Sequence, residues 1–182
     1  YLTGDNTFSG WGAKCPYMRT ERLKRYLSIP SLIDYSNRKS PSYRFRNKRF
    51  QLFHKFVKEV RKRENKESLR ILDVGGTLQY WEIFGFPVEQ HELTLLNITL
   101  PSERDTGPLK LVKGDARCMK NIEDQSFDIV FSNSVIEHLY SWKGQNQMAR
   151  EVRRVGKYYF IQTPNLYFPL EPHYILPCFQ FL

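Results

Sequence analysis

Ser68-Leu-Arg-Ile-Leu-Asp-Val-Gly-Gly76 is the segment on which the fold turns. Leu69, Ile71, Leu72 and Val74 make a short apolar run, which reads as a buried strand. Gly75 and Gly76 follow it directly. Glycines there let the backbone bend sharply and let a ligand approach closely.

Working outward, the same strand-then-polar-loop pattern recurs. A second strand is expected at His91–Ile98, with Leu93, Leu95, Leu96 and Ile98, and a third at Leu109–Lys113. The fourth is the clearest, Phe127-Asp-Ile-Val-Phe-Ser132, and a fifth is expected at Tyr158–Gln162. Between them lie helical patterns. The strongest runs from Phe45 to Arg63, where Phe50, Phe53, Phe56, Val57 and Val60 recur at three- and four-residue steps. A short helix is expected around Tyr80–Phe84 and another at Ser141–Val155. Alternating helical and strand patterns predict an α/β fold, a doubly wound, mostly parallel sheet with helices on its faces. No internal repeat occurs.

The 182 residues suit one domain. Residues 1–67 read as a basic helical cap, 68–165 as the α/β core and 166–182 as a Pro-rich tail. Within the cap, residues 1–18 read as an irregular arm, Thr20 as the cap of a short helix to Leu27, and residues 36–43 as a polar loop. The charge is uneven. Arg19 to Arg70 holds 17 Lys and Arg against five Asp and Glu, within a chain whose formal net charge is +9. A basic stripe can attract nucleic acid or an anionic surface, and a solvated helix face is the favoured explanation.

No run of about 18 apolar residues occurs, so no membrane span is expected. Cys15, Cys118 and Cys178 form no disulfide framework and have no zinc-ligand spacing. No metal site is expected, and a reducing, cytoplasmic setting follows. A chain opening on Tyr1 rather than Met leaves room for an upstream targeting segment.

In an open parallel sheet, ligands bind beyond the carboxyl ends of the strands. Asp73-Val-Gly-Gly-Thr77 follows the first strand, Asn97 the second, Gly114-Asp-Ala116 the third and Asn133-Ser-Val-Ile-Glu-His138 the fourth. Four polar groups in register are hard to assign to chance. His138, and His173 in Leu170-Glu-Pro-His-Tyr174, are the candidate proton acceptors, because imidazole exchanges protons near neutrality. Each also reads as a histidine that holds a loop by hydrogen bonds. Glu137 and Glu171 are placed to orient them or to cap nearby helices.

These pieces, taken together, resemble the class I S-adenosylmethionine-dependent methyltransferases, in particular the small-molecule, type 11-like branch with a Glu–His pair after the fourth strand. The resemblance covers Leu69 to Asn165 and implies a Rossmann-like fold with S-adenosylmethionine as cofactor. It implies that Asp73, Gly75 and Gly76 lie beside the methionine part of the cofactor. Asn97 stands where the family has an acid that binds both ribose hydroxyls. Asp115 would accept from the adenine amino group, and Ala116 would offer its backbone amide to the ring. Asn133 and Ser134 would floor the site beneath the sulfonium. His138 or His173 would act as base, with Arg46 and Glu171 toward the substrate, a small-molecule acceptor. Family members place substrate-selecting elements over the site mouth, the place expected here for the N-terminal helices. The family fold has seven strands against five here. The last two are expected beyond the chain or within residues 158–182.

The departures are specific. Thr77-Leu-Gln-Tyr-Trp81 stands where the family's loop carries a third glycine. Tyr80 and Trp81 either wall the pocket or pack the short helix, and packing is favoured. Three other functions compete. A nicotinamide-dependent oxidoreductase needs a Gly-x-Gly-x-x-Gly turn, and Gly75 and Gly76 are adjacent instead. A base-directed nucleic-acid methyltransferase carries Asn/Asp-Pro-Pro-Tyr/Phe where Ser132-Asn-Ser-Val135 stands. RNA remains an open but less favoured acceptor. A catalytically silent binding module draws on the short glycine loop and Asn97.

Overall fold

The computed structural model describes residues 34, 36–100 and 109–164. The expected arm at 1–18, the helix at Thr20–Leu27 and the tail at 166–182 lie outside them. The chain falls into two compact units, residues 1–47 and 48–182.

In the first unit the structure differs from the expected polar loop at 36–43. Helix α1, Pro41–Glu64, starts inside it. The Ser40 hydroxyl accepts from the Tyr43 amide at 2.9 Å and donates to the Asp34 carbonyl at 2.6 Å. Ser40 is therefore the N-cap, and Pro41 takes the first helical position, where a missing N–H is harmless. A polar Ser-Pro-Ser composition looks the same in a loop and in a helix start.

The second unit is built on one five-stranded sheet in the order β3-β2-β1-β4-β5. The strands are β1 Arg70–Val74, β2 Glu92–Asn97, β3 Lys110–Lys113, β4 Phe127–Asn133 and β5 Gly156–Gln162. Every neighbouring pair runs parallel. The two other helices are α2, Leu78–Phe84, and α3, Trp142–Val155. Strand–helix alternation is incomplete: residues 114–126, between β3 and β4, contain turns and no helix.

Strand alternation divides the core into two faces. One face carries Ile71, Leu93, Leu95, Ile129 and Phe131 beneath Phe50 and Phe53 of α1 and Trp81 of α2, all buried. The layer that covers its aliphatic strand residues is aromatic. The Phe53 and Phe131 rings are 4.7 Å apart, and Trp81 lies 5.7 Å from Phe53 and 5.0 Å from Phe131. The opposite face carries Leu72, Val74, Leu96 and Val130 beneath Met148, Val152 and Val155 of α3. The stripe on α1 buries as expected at Phe50, Phe53, Val57 and Val60. Trp81 is fully buried, so it packs the core, as favoured from sequence. Among the described residues no helix is long and apolar enough to cross a membrane.

Two histidines sit under the aromatic face, away from the strand C-termini. His91 Nδ1 accepts from the Leu69 amide at 3.3 Å, and its ring stacks on Phe86. His54 lies edge-on to Phe50 and Phe86, with Nε2 buried and unpartnered. Desolvation lowers the pKa of both, helped at His54 by Lys58 and at His91 by Arg61 and His54. The unfolded chain binds protons at the ordinary histidine value, above these folded values. The stability that neutral His54 contributes is therefore present above pH 6.5 and lost as pH falls below it. His54→Phe, whose ring suits this aromatic pocket, should gain on the wild type as pH falls from 7.5 to 5.5. Urea unfolding at each pH measures the gap, and a gap that does not change with pH would refute the assignment.

Candidate functional site

The strand ends bring the expected residues to one edge. Val74 lies level with Leu96 on β2 and with Ser132 on β4, while Asn97 pairs with Lys113 and Asn133 with Gln162. The loops that leave these ends therefore start side by side.

Gly75 has φ +80°, a region that side chains avoid, and its amide donates to the Leu96 carbonyl at 2.8 Å. A Cβ there would also meet Val135 Cγ2 at 2.5 Å. Gly76 is constrained differently. A Cβ on it would overlap the Asp73 carboxylate, which lies folded beneath the turn. Asp73 is 1% exposed, and its Oδ2 accepts from Trp81 Nε1 at 2.7 Å. Burial pushes the Asp73 carboxyl up to about 7, and the indole N–H offsets part of that rise.

Asn97 donates from Nδ2 to the Gly76 carbonyl at 3.0 Å. The end of β2 is thereby stitched to the glycine turn, and the amide oxygen keeps its capacity to accept. Asp115 follows β3. Its carboxylate accepts from the Arg117 amide at 2.8 Å, from Nε at 3.0 Å and from the terminal guanidinium nitrogen at 2.6 Å. The Arg117 hydrogen bonds hold this carboxyl below the usual carboxylate range. The pair is partly exposed, so it organises the loop more than it stabilises the fold. Ala116 is buried in the core beneath α3.

Beyond β4, the Ser132 hydroxyl donates to the Val74 carbonyl at 3.1 Å and ties the two central strand ends together. Asn133 is half-buried. Ser134 has φ +58°, an uncommon value for a side chain, and its amide donates to the Gln162 carbonyl at 3.0 Å. A short 3-10 turn, Ile136–Leu139, places His138 at the surface with its ring 6.4 Å from that of Tyr140. Glu137 lies further in. Its Oε2 accepts from the Thr163 hydroxyl at 3.4 Å, and its Oε1 is buried without a partner. Ser141 caps α3 by accepting from the Gly144 amide.

The structure therefore brings Asp73, Gly75, Gly76, Asn97, Asp115, Ala116, Asn133, Ser134 and His138 to the loops at one sheet edge. Arg46 lies on α1 in the first unit, and Glu171 and His173 lie outside the described residues. Sequence reasoning missed the donor role of Trp81, and Arg117 as the partner of Asp115. A carboxylate two residues before an arginine was a signal for the second. A cavity of about 750 Å³ opens at the other end of the sheet, where Arg70, Glu92, Lys110 and Phe127 begin their strands. None of the candidate site residues lines it.

Residues 77–158 match the family model described as a methyltransferase domain. Among solved structures, WbdD superposes with a TM-score of 0.53 at 14% identity, over 72% of this chain and 33% of WbdD. A protein from Pyrococcus horikoshii gives 0.48 at 23% identity, over 71% of this chain and 57% of its own. A SAM-dependent methyltransferase from Archaeoglobus fulgidus gives 0.44 at 24% identity, over 61% and 53%. The chain spans about half the length of the first structures it matches. No curated protein matches it. Residues 77–158 are therefore similar to a methyltransferase domain, and the all-parallel five-stranded sheet is the fold that this similarity implies.

Proposed function

We propose that the chain binds S-adenosylmethionine across the ends of β1 to β4 and directs methyl transfer to a small-molecule acceptor. One observation carries the proposal: the glycine turn, Asn97, Asp115 and Asn133 leave adjacent strand ends at one edge. The residues fit the cofactor's parts in chemistry. Gly75, Gly76 and Asp73 form a fixed turn for the amino-acid end. Asn97 has an amide oxygen left to accept from a ribose hydroxyl, because its nitrogen is engaged by Gly76. Asp115 and the Ala116 amide would take the adenine, and Asn133 and Ser134 the floor.

The cofactor supplies a methyl group already activated on a sulfonium. The protein's work is then alignment and exclusion of water. A base is needed only where the O, N or C nucleophile must lose a proton, and exposed His138 would then accept it.

One observation favours a second reading, a silent binding module. Arg117 already takes most of the accepting capacity of Asp115, so adenine would have to share it. A single titration addresses both. S-adenosylhomocysteine at about 100 times its Kd should stabilise the native state by about 2.7 kcal/mol and raise Tm by about 5–10 °C. No shift at millimolar ligand would overturn cofactor binding. Binding with no methyl transfer to any acceptor class would favour the silent module.

A further inference from the structure

We propose that Trp81 is a positioning residue for the cofactor-binding turn: its indole N–H pins the Asp73 carboxylate beneath Gly76 and so fixes the turn's peptide groups. The proposal rests on the cofactor site described above, and it adds a residue outside that set.

Three tethers converge on the turn. On the β2 side, the Gly75 amide bonds the Leu96 carbonyl, and Asn97 bonds the Gly76 carbonyl. On the α2 side, Trp81 Nε1 donates to Asp73 Oδ2 at 2.7 Å. The carboxylate lies so close beneath Gly76 that it occupies the place of a Cβ. Any rotation of Asp73 therefore changes what supports the turn.

The surroundings show why a tryptophan stands at 81. Its ring neighbours are Phe50, Phe53, Phe86 and Phe131, and a phenylalanine would satisfy all of them. Only the indole adds a donor. On the adjoining strands Asp73 is level with Leu95 and Phe131, and neither offers a side-chain donor. Of the titratable groups on the packed helices, Glu82 on α2 is exposed, while Tyr80 on α2 and His54 on α1 reach the aromatic layer. His54 contacts Phe50 and Phe86, and Tyr80 contacts Phe131. Burial and the Trp81 donor are what act on Asp73. Without that donor a buried carboxylate is left unsatisfied, which drives it toward water and away from the turn.

The contact can be tested without cofactor. In the wild type, the Trp81 indole N–H resonance should titrate with Asp73, around pH 7, and Asp73→Asn should abolish the titration. An indole resonance that Asp73→Asn leaves unmoved at every pH would overturn the contact itself. Positioning is tested by calorimetry with S-adenosylhomocysteine. Trp81→Phe should weaken binding at least tenfold while Tm stays within a few degrees of wild type. Binding within twofold of wild type would overturn the proposal. Should Trp81→Phe fail to fold, the wild-type indole resonance decides: saturating S-adenosylhomocysteine should shift it, and a resonance that the ligand leaves unmoved would overturn positioning. Wild-type protein that binds no S-adenosylhomocysteine, yet shows the indole titration, would sink the cofactor site and leave the Trp81–Asp73 contact standing.

Discussion

Gly76→Ala should remove measurable S-adenosylhomocysteine binding and lower folding stability by about 2–4 kcal/mol. The cause is unusual for a glycine. Among the described glycines, positive φ occurs at Gly75 and Gly85, so the backbone of Gly76 does not itself bar alanine. The obstacle is the Asp73 carboxylate, which occupies the place of the added methyl. Asp73 is buried and cannot yield as the tip of a surface side chain would. Either it rotates, stranding the Trp81 N–H and itself in an apolar layer, or the turn lifts away from β2. Both outcomes spoil the same peptide groups. Urea unfolding and calorimetry measure the two losses. Stability and binding equal to wild type would show that the carboxylate does not sit beneath the turn.

Phe131→Ala should be comparably severe for a different reason, destabilising the protein by about 3–5 kcal/mol. Phe131 is 1% exposed in the centre of β4. It touches Phe53 of α1 and Trp81 of α2, and it stacks on Phe160 of the neighbouring strand with an interplanar angle of 10°. Truncation leaves a cavity that three rigid rings on three elements cannot jointly close. Domains of this size hold only about 5–15 kcal/mol of net stability. The variant should therefore unfold at a markedly lower urea concentration. Phe131→Leu, which keeps much of the volume, should recover most of the loss. A midpoint for Phe131→Ala within 0.3 M of wild type would contradict the central place given to this ring.

The sheet was legible because each strand is a short apolar run closed by polar or glycine residues. In parallel strands buried on both faces, that pattern survives without strict alternation. The five strands appear where expected, with boundaries shifted by one or two residues. The start of α1 was not legible, since Ser40-Pro41-Ser42 suits a loop and a capped helix equally. The sequence shows no helical pattern between β3 and β4, and the path of that connection was hidden for another reason. Gly114-Asp-Ala116 and the following polar residues fit several chain paths, and the side chains that stabilise this one come from elsewhere. At the site, residues were found by their place after strands. Their partners were not. Trp81 and Asp73 are eight residues apart, on different elements, and nothing in either local pattern announces a bond between them.

The helix-free connection also sets an order of events in time. Its carbonyls at Met119 and Ile122 accept from the guanidinium of Arg154, which also pairs with Glu151 and Asp124. These partners arrive 32 to 35 residues later in the chain. During synthesis, the loop that carries β4 to the side of β1 thus emerges before the side chain that satisfies it. β1, which ends as the middle strand, must wait with one edge open until β4 has been made, and the crossing closes only when the last turn of α3 delivers Arg154. The order of residues along the chain keeps the centre of this sheet open until late, with only the edge strand β5 still to be added after it.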